Sequence, residues 1–310
     1  MSEFRPHRNL VLTIGGRRYG FLAHPYFPQE PEEVYAVEGA EAIVYQVQDL
    51  DSGELRALKV SKGSFRGPHI ARAVAALAPY AAVPGLAFGA RICLTAQTHF
   101  ELTALYPDLE YAVLMPWVVG RTWSGWLADR AASEGYTIYS AYDLSRAAAR
   151  TLEQLERYHL AHTDLAGGNV IIAPDFRSIA LLDLENLYRA GDPPPVRKSQ
   201  GTPGYRHHQL GADGQWCPEG DRFAGAVLLV EMLTWWDPAV RALTPAGAES
   251  LFQQHELHAL DTPRWQAARA TLWRICQPAL ALFDQAWSSA SLRECPELGV
   301  WARAVNQIAL

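Results

Sequence analysis

The chain has 310 residues, of which 49% are apolar and 19% charged, and its formal net charge is −6. This composition is typical of a globular protein with one large domain or two small ones, and it excludes an extensively disordered chain. The acidic balance argues against nucleic acid as a partner.

Neither a membrane segment nor a disulfide framework is predicted. The N-terminus, MSEFRPHRNL, lacks an apolar signal core, and the longest apolar-rich run, residues 223–236, is short and is broken by Glu231. The four cysteines are scattered and form no CxxC pair, which argues against a zinc site or a disulfide framework. We therefore expect a cytosolic protein with reduced thiols and no membrane contact.

The first 60 residues carry the patterns of two β-hairpins. Apolar runs flank Gly15 and Gly16, and two glycines supply the positive φ angles that a tight hairpin turn needs. Residues 34–60 contain two alternating runs joined by the turn sequence DSG at 51–53. We expect the first hairpin, within residues 1–33, to extend the sheet formed by the second.

Helix and strand patterns alternate between residues 55 and 120. The alanine-rich segment from His69 to Tyr80 predicts a helix, and a shorter helical pattern follows at residues 96–106. No Asp or Glu occurs from Leu55 to Phe100. The run EYAVLMPWVVG, residues 110–120, is typical of a buried strand that leaves a core.

A helix with one buried face is predicted over residues 142–159. Leu144, Ala148, Leu152 and Leu155 recur with the spacing of 3.6 residues that an amphipathic helix shows. This helix leads the chain into His162, for which we expect a supporting role in the core.

The stretch at residues 158–187 brings metal-ligand residue types to one predicted hairpin. Its apolar runs VIIA and IALL are separated by a Pro-Asp turn signal, so Asn169 and Asp183 lie at the open ends of the two strands. With Asp164 five residues before Asn169, three oxygen-bearing side chains come close together. Ligands of this kind suit Mg²⁺ and its phosphate partners. Asp and Asn are also common turn formers, so the interpretation depends on further motifs.

Two longer motifs follow the central stretch. A loop-like segment at residues 186–209, interrupted by prolines, ends in GTPGYRHHQ at 201–209. GDRFAGAVLLVEMLTWW at 220–236 comes next. The tryptophan-rich part at 251–310 has helical spacing, and we expect it to pack on the larger of two lobes.

Together these segments resemble the protein kinase family. HTDLAGGNV, residues 162–170, is similar to the catalytic loop HRDLxxxxN, and DLE at 183–185 stands in the place of DFG. The segments at 201–209 and 220–236 resemble the GTPGYMAPE end of an activation segment and the helix that follows it. The resemblance covers about residues 35–310.

That resemblance implies roles for the central stretch. Asp164 would orient the attacking hydroxyl or accept its proton, and Asn169 and Asp183 would hold Mg²⁺ on the phosphates of ATP. Glu185 stands where the family has glycine, and we expect it to approach Lys59 or a second Mg²⁺.

The resemblance also assigns residues in the N-terminal sheet. Lys59, in RALKV, would reach the α- and β-phosphates. In the glycine-rich loop only Gly39 remains a glycine, so phosphate binding by backbone amides is expected to be weaker. The implied catalytic residues are Asp164, Asn169 and Lys59, and the implied side chains around the nucleotide are Val44, Ala57 and Ile171.

Two further assignments follow from the resemblance. EYAVLMPWVVG would supply the fifth strand and the hinge, with Met115 as gatekeeper and with the Pro116 carbonyl and the Val118 amide facing the adenine edge. Asp221 would cap and hold the backbone of the catalytic loop from beneath.

Besides the glycine-rich loop and DLE, the chain departs from the family in three further places. The predicted helix at 69–80 has no glutamate for Lys59, Thr163 replaces the usual arginine, and Ala166 replaces a lysine that often follows the catalytic aspartate. We therefore expect no phosphorylation control of the usual kind, and slower or differently organised activity.

The expected fold is α+β and two-lobed, similar to a protein kinase. An N-terminal hairpin extension would occupy residues 1–33, a small antiparallel β lobe 34–116 and a larger, mainly helical lobe 117–310, with ATP and Mg²⁺ in the cleft. The expected function is phosphoryl transfer from ATP to serine or threonine of a protein. Two alternatives stay open: an ATP-binding pseudokinase that acts as a regulatory module for a protein partner, and a small-molecule kinase of the aminoglycoside phosphotransferase type.

Overall fold

The computed structural model describes residues 4–308 apart from positions 28, 31–32, 40, 84, 87–89, 130, 132–133, 185–186, 196–197, 211–213 and 246. The chain forms two compact units, Met1–Val118 and Val119–Leu310. The boundary expected from the sequence, after residue 116, lies two residues before the observed one.

An antiparallel sheet forms the framework of the first unit. Its strands are β1 Val11–Ile14, β2 Arg17–Phe21, β3 Ala36–Glu38, β4 Ala42–Asp49, β5 Leu55–Ser61, β6 Ile92–Cys93 and β7 Val113–Pro116. They are ordered β1-β2-β4-β5-β7-β6, and β3 pairs with the N-terminal half of β4.

The predicted N-terminal hairpin is confirmed. Strands β1 and β2 pair in antiparallel register, and Gly15 and Gly16 join them with φ angles of 59° and 78°. Both angles lie in the left-handed region that glycine adopts at low cost. Because β2 also pairs with β4, this hairpin extends the sheet.

The turn between β4 and β5 is also as predicted. Gly53 has a φ of 75°, and the Asp49 carboxylate accepts the amides of Asp51 and Ser52 at 2.9 and 3.1 Å. An Asx-type turn of this kind satisfies backbone donors that the strands leave unpaired.

One face of the sheet forms the core of the first unit. Its buried apolar side chains include Leu12, Ile14, Tyr19, Phe21, Tyr45, Val47, Leu58, Val60, Leu94 and Leu114. Successive strand residues point to opposite faces. Leu58 and Val60 therefore face this core, whereas Ala57 and Lys59 face the other side of the sheet.

Two helices complete the described part of the first unit. Helix α1 spans Pro68–Leu77 and continues into a 3-10 turn at Ala78–Tyr80, as the sequence predicts. Helix α2 spans Phe100–Leu105 and is shorter than the predicted 96–106, because Thr95, Thr98 and His99 form a hydrogen-bonded turn before it.

The second unit is mainly helical. Its helices are α3 Trp123–Ala128, α4 Ile138–Arg157, α5 Arg222–Thr234, α6 Pro238–Ala242, α7 Pro263–Ile275, α8 Gln277–Ser288 and α9 Leu298–Asn306. Helix α5 is buried from Phe223 to Thr234 and contacts α4, α7, α8 and α9. An all-round apolar helix of this kind forms the centre of a larger packed unit.

Helix α4 has the predicted buried face. Leu144, Ala148, Leu152 and Leu155 are all buried. The helix begins four residues before the predicted start, because the Thr137 hydroxyl accepts the Ser140 amide at 3.2 Å and caps the first turn.

Short strands complete the second unit. They are β8 Arg121–Thr122, β9 Leu160–Ala161, β10 Val170–Ile172, β11 Ile179–Leu181 and β12 Tyr188–Arg189. Strand β10 lies between β8 and β11, and β12 pairs with β9. The prediction of a loop-like segment from 186 to 209 was therefore wrong at β12, where Tyr188 pairs with Ala161 and Arg189 with Leu160.

The four cysteines carry free thiols. Within the part of the chain that the structure describes, no helix combines the length and apolarity needed to cross a membrane.

Candidate functional site

The predicted central hairpin is present in the second unit. Strands β10 and β11 pair with Val170 opposite Leu181, and the Leu182 amide donates to the Asn169 carbonyl at 2.9 Å. Asn169 and Asp183 therefore lie at the same end of this hairpin. Asp183 is exposed, and its φ is 51°. This left-handed conformation turns the chain just after the strand ends.

A buried carboxylate at the start of α5 holds the loop that precedes the hairpin. Asp221 is 2% exposed, and its two oxygens accept the amides of His162 and Thr163 at 2.5 and 2.9 Å. Thr163 has a φ of 65°, which costs a β-branched residue on the order of 1–2 kcal/mol. The two charge-assisted hydrogen bonds stabilise this strained turn. The predicted role of Asp221 is confirmed.

The electrostatics of Asp221 follow from its burial. Desolvation raises the pKa of its carboxyl group, while the hydrogen bonds from the two amides act in the opposite direction. A carboxylate in this environment needs both amides, because an unsatisfied buried charge is strongly destabilising.

His162 connects the loop to the hairpin. Its Nε2 lies 2.6 Å from the Leu182 carbonyl, and its Nδ1 accepts the Asp164 amide at 3.3 Å. These partners favour the neutral ring with the proton on Nε2. His162 is 1% exposed, so it supports Asp164 from the core, as expected.

Besides His162, two further neighbours fix Asp164. The Asn169 side-chain amide donates to the Asp164 carbonyl at 2.8 Å, and the Thr202 hydroxyl donates to Asp164 Oδ1 at 3.0 Å. The first bond uses Asn169 Nδ2 and turns Asn169 Oδ1 toward other partners. The second joins the GTPGY segment to the loop at 162–169. Among the described contacts of the Asp164 carboxylate, only Oδ1 is engaged.

A small cavity lies next to Asn169 and Thr202, the two residues whose side chains contact Asp164. It has a volume of about 190 Å³ and is lined by Ser124, Ala166, Gly168, Asn169, Thr202, Tyr205 and Glu249. Gly167 is tightly packed against two residues that line the cavity, because a Cβ atom there would lie 2.8 Å from the Tyr205 hydroxyl and 3.1 Å from the Ser124 amide. Any larger residue would push these groups apart.

Glu231 anchors the region below this cavity. The residue is fully buried in α5, and its carboxylate accepts four hydrogen bonds, two at each oxygen. The donors, at 2.6–2.8 Å, are Trp123 Nε1, the Tyr205 hydroxyl, the Ser250 hydroxyl and the Leu251 amide. Burial raises the pKa of Glu231 to about 7, against the opposing effect of these donors. The network ties Tyr205 of the GTPGY segment to α3 and α5.

In the first unit, one face of the sheet collects predicted nucleotide residues. Val44 pairs directly with Lys59, and Ala57 pairs directly with Met115. Directly opposed residues share a face, and so do Ala57 and Lys59 on the same strand. Val44, Ala57, Lys59 and Met115 therefore lie on the face opposite the core.

The glycine-rich loop differs from the expectation in one respect. The Gly39 amide donates to the Ala42 carbonyl at 2.9 Å, and Lys62 contacts both the Gly39 carbonyl and the Glu38 carboxylate. The Gly39 amide, which we expected to approach phosphate, instead closes the turn between β3 and β4. The backbone groups of the turn hydrogen-bond to one another, because two strands joined by a short connection favour a tight local turn.

The remaining predicted residues are placed as follows. Pro116 ends β7 opposite Arg56, and Val118 is the last residue of the first unit. Ile171 is half-buried on β10 of the second unit, between Thr122 and Ala180 of the neighbouring strands. Glu185, predicted to join the charge cluster, lies outside the described residues.

Sequence reasoning missed three contributors to this site. Thr202 lay inside the GTPGY motif without a role, Glu231 was noted only as a break in an apolar run, and Glu249 was not considered. A carboxylate in an otherwise apolar helix was the available signal for Glu231, since a buried charge requires partners. No local pattern marks Glu249.

No family model matches the chain, and no curated protein sequence is significantly similar to it.

Proposed function

We propose that this chain is a phosphotransferase of protein-kinase-like fold that moves the γ-phosphoryl group of ATP to a serine or threonine hydroxyl of a protein. The observation that carries the proposal is the hydrogen-bonded loop at 162–169. Asp221 holds its backbone, and His162, Asn169 and Thr202 fix Asp164 from three sides. Phosphoryl transfer depends mostly on positioning, so a rigidly held carboxylate is the feature such an enzyme needs.

The donor atoms near Asp164 suit Mg²⁺. Asn169 uses its nitrogen for the Asp164 carbonyl, which leaves an amide oxygen, and Asp183 adds an exposed carboxylate at the same end of the hairpin. Mg²⁺ takes oxygen ligands and retains several waters, so two protein ligands are enough. When bound, the ion would neutralise charge on the phosphate groups of ATP.

Asp164 would act on the acceptor hydroxyl. Its Oδ1 is occupied by Thr202, which orients the carboxylate and directs Oδ2 to the substrate. From this position Oδ2 accepts a hydrogen bond from the attacking hydroxyl, aligns it and receives its proton.

The cavity that Asn169 and Thr202 line suits the acceptor rather than the nucleotide. Its volume of about 190 Å³ is below the range of about 300–1,000 Å³ that small-molecule sites occupy. A single side chain fits such a space. Ser124, Thr202 and Glu249 offer it polar contacts, which suits a hydroxyl-bearing residue of a polypeptide.

The sheet face of the first unit gives separate support for nucleotide binding. Val44 and Ala57 are apolar residues of the kind that contact a purine ring, and Lys59 adds a cation on the same face. A pocket that combines apolar walls with a few charged groups is typical of nucleotide sites.

The test is incubation of the protein with ATP labelled in the γ-phosphate, with and without Mg²⁺. Acceptors are peptide mixtures that offer serine, threonine or tyrosine, and a separate set of small aminoglycosides. Label on serine or threonine peptides is expected. Label on aminoglycosides alone would indicate a small-molecule kinase, and ATP binding without any transfer would indicate a regulatory pseudokinase.

A further inference from the structure

Three histidines form a cluster in the second unit, away from the residues around Asp164. One ring nitrogen from each of His207, His208 and His258 lies within 4.8 Å of the others. His207 and His208 follow the GTPGY sequence after one intervening residue, Arg206, while His258 comes from a turn where its own φ is 68°. Residues 50 positions apart in the chain thus bring three imidazoles together.

The rings of His207 and His258 are oriented by backbone carbonyls. His258 Nδ1 lies 2.7 Å from the Trp287 carbonyl, and only a protonated Nδ1 makes this contact favourable. His207 Nε2 lies 3.2 Å from the Ser289 carbonyl and 3.1 Å from the Ser289 hydroxyl. That hydroxyl donates its hydrogen to the Ala286 carbonyl, so His207 Nε2 must be the donor.

These partners decide which nitrogens carry a lone pair. They are Nε2 of His258 and Nδ1 of His207. A histidine that donates one N–H to a backbone carbonyl and offers the other nitrogen is the arrangement found in metal sites, where the carbonyl fixes the tautomer and the ring orientation. In this structure the remaining nitrogens accept backbone amides, His258 Nε2 from His208 at 3.5 Å and His207 Nδ1 from Gln209 at 3.0 Å, so a bound ion would replace these two contacts. Both carbonyls belong to the C-terminal end of α8, so one element orients both rings.

The surroundings of His207 Nδ1 also suit a bound cation. It accepts the Gln209 amide at 3.0 Å, yet it also lies 2.9 Å from the Gln209 carbonyl oxygen. A cation that replaces the Gln209 amide hydrogen at His207 Nδ1 would also lie close to the Gln209 carbonyl oxygen, which would then add an oxygen ligand to three nitrogen ligands.

We propose that His207, His208 and His258 bind one divalent transition-metal ion, with Zn²⁺ as the best match. Three imidazoles with one water or carbonyl oxygen are a common zinc set. Tetrahedral Zn–N bonds of about 2.0–2.1 Å place the nitrogens roughly 3.4 Å apart, so the rings must close from their present spacing. His208 provides that adjustment, because it is exposed and, among its described ring contacts, only stacks on His207 and His258.

A bound ion would connect the end of the 201–209 segment to the turn that carries His258. The scattered cysteines are not involved, so the unfavourable cysteine spacing has no bearing on this site. The site also stands whether or not the chain transfers phosphate, because it shares no residue with the loop around Asp164.

The test uses tag-free protein, freed of metal with a chelator and titrated with Co²⁺ in excess Mg²⁺. Cobalt reports its coordination through visible absorption bands, and the Mg²⁺ occupies oxygen-rich sites. We expect one Co²⁺ per chain, with intense bands of low coordination number that Zn²⁺ removes. His208→Ala is expected to weaken binding at least about tenfold. The control, His255→Ala, removes another exposed histidine three positions before His258 and should bind as the unmodified chain does.

Two results would overturn the proposal: no saturable binding of one Co²⁺ or Zn²⁺ per chain, or binding by His208→Ala equal to that of the unmodified chain. Because the His208 ring is exposed, this variant is expected to melt at the unmodified temperature without metal. If it does not, His258→Gln serves as the second variant, and equal binding by that variant also overturns the site.

Discussion

The Thr202 hydroxyl donates a hydrogen bond to Asp164 Oδ1 at 3.0 Å, across 38 positions of sequence. The contact connects the GTPGY segment to the loop at 162–169, which Asp221 holds from the opposite side. Asp164 thus has a backbone fixed from within the helical unit and a side chain fixed by a separate segment. Displacement of residues 201–205 would remove the second constraint and leave the first.

Thr202→Val should reduce phosphoryl transfer without a comparable loss of ATP binding. The substitution keeps the shape of the side chain and removes a hydrogen bond to a charged group, worth about 1.5–3 kcal/mol. If that bond acts in the transition state, kcat falls roughly ten- to hundredfold. Thr202→Ser retains the hydroxyl and is the matched control. Equal kcat for the valine variant and the unmodified chain would show that the Thr202 hydroxyl does not contribute to phosphoryl transfer.

Asp221→Asn should destabilise the fold. The amide group has one acceptor oxygen, so either the His162 or the Thr163 backbone N–H loses its partner. A buried unsatisfied donor costs about 1–3 kcal/mol, and the strained Thr163 turn loses support. The check is the free energy of unfolding from urea titrations. Asp175→Asn is the control, since Asp175 is exposed and its one backbone contact tolerates asparagine. Equal losses in both variants would contradict the assigned role.

Glu231→Gln should remove a pH-dependent contribution to stability. Its pKa is raised from 4.5 to about 7, so the folded state holds the proton more tightly than the unfolded chain. This contribution is fully present below pH 4.5 and is lost as the pH rises through 7. At about 1.36 kcal/mol per unit, the difference between unmodified and variant stability changes by about 3 kcal/mol at most.

The measurement for Glu231 is urea unfolding of both chains at several pH values. Burial lowers the pKa of His207, His208 and His258, the last to about 4, so these residues give the opposite trend as the pH falls below 6.5. Their effect is common to both chains and cancels in the difference. A difference that does not vary with pH would mean that the pKa of Glu231 is the same in the folded and unfolded states, which would contradict the effect of its burial.

Mg-ATP should raise the melting temperature of the protein. A ligand at a hundredfold excess over its dissociation constant stabilises the folded state by about 2.7 kcal/mol. Asp183→Asn should weaken the dependence of this shift on Mg²⁺, because it replaces the charged one of the two predicted ligands with a neutral amide. Asp175→Asn, at the turn end of the same hairpin, should behave as the unmodified chain does. A melting temperature that millimolar Mg-ATP does not change would contradict the proposal that the chain binds nucleotide.

Local patterns predicted much of this fold. The two-glycine turn, the buried face of α4 and the β10–β11 hairpin follow from short-range geometry, since turn residues and apolar spacing are properties of a few neighbouring positions. The role of Asp221 was also predicted, because motif order placed it at the start of a helix near the loop.

Contacts between distant segments were not predictable in the same way. The Thr202–Asp164 bond, the four donors on Glu231 and the meeting of His207 with His258 each depend on how packed elements are placed. For the Gly39 amide, a local turn and not a distant contact decided the outcome. A motif suggested a phosphate contact, but the tight turn between β3 and β4 uses the donor locally.

The proposed role of Asp164 in phosphoryl transfer is tested most directly by comparing three chains: unmodified, Asp164→Asn and Asp175→Asn. The quantity measured is the rate at which each transfers labelled γ-phosphate from ATP. We expect the unmodified chain and Asp175→Asn to transfer phosphate at the same rate. The rate of transfer by Asp164→Asn should be lower by about 10²- to 10⁴-fold, the range for removal of a general base. The melting shift with Mg-ATP should persist in all three, since Asp164 acts on the acceptor. Transfer by Asp164→Asn at the unmodified rate would contradict the account.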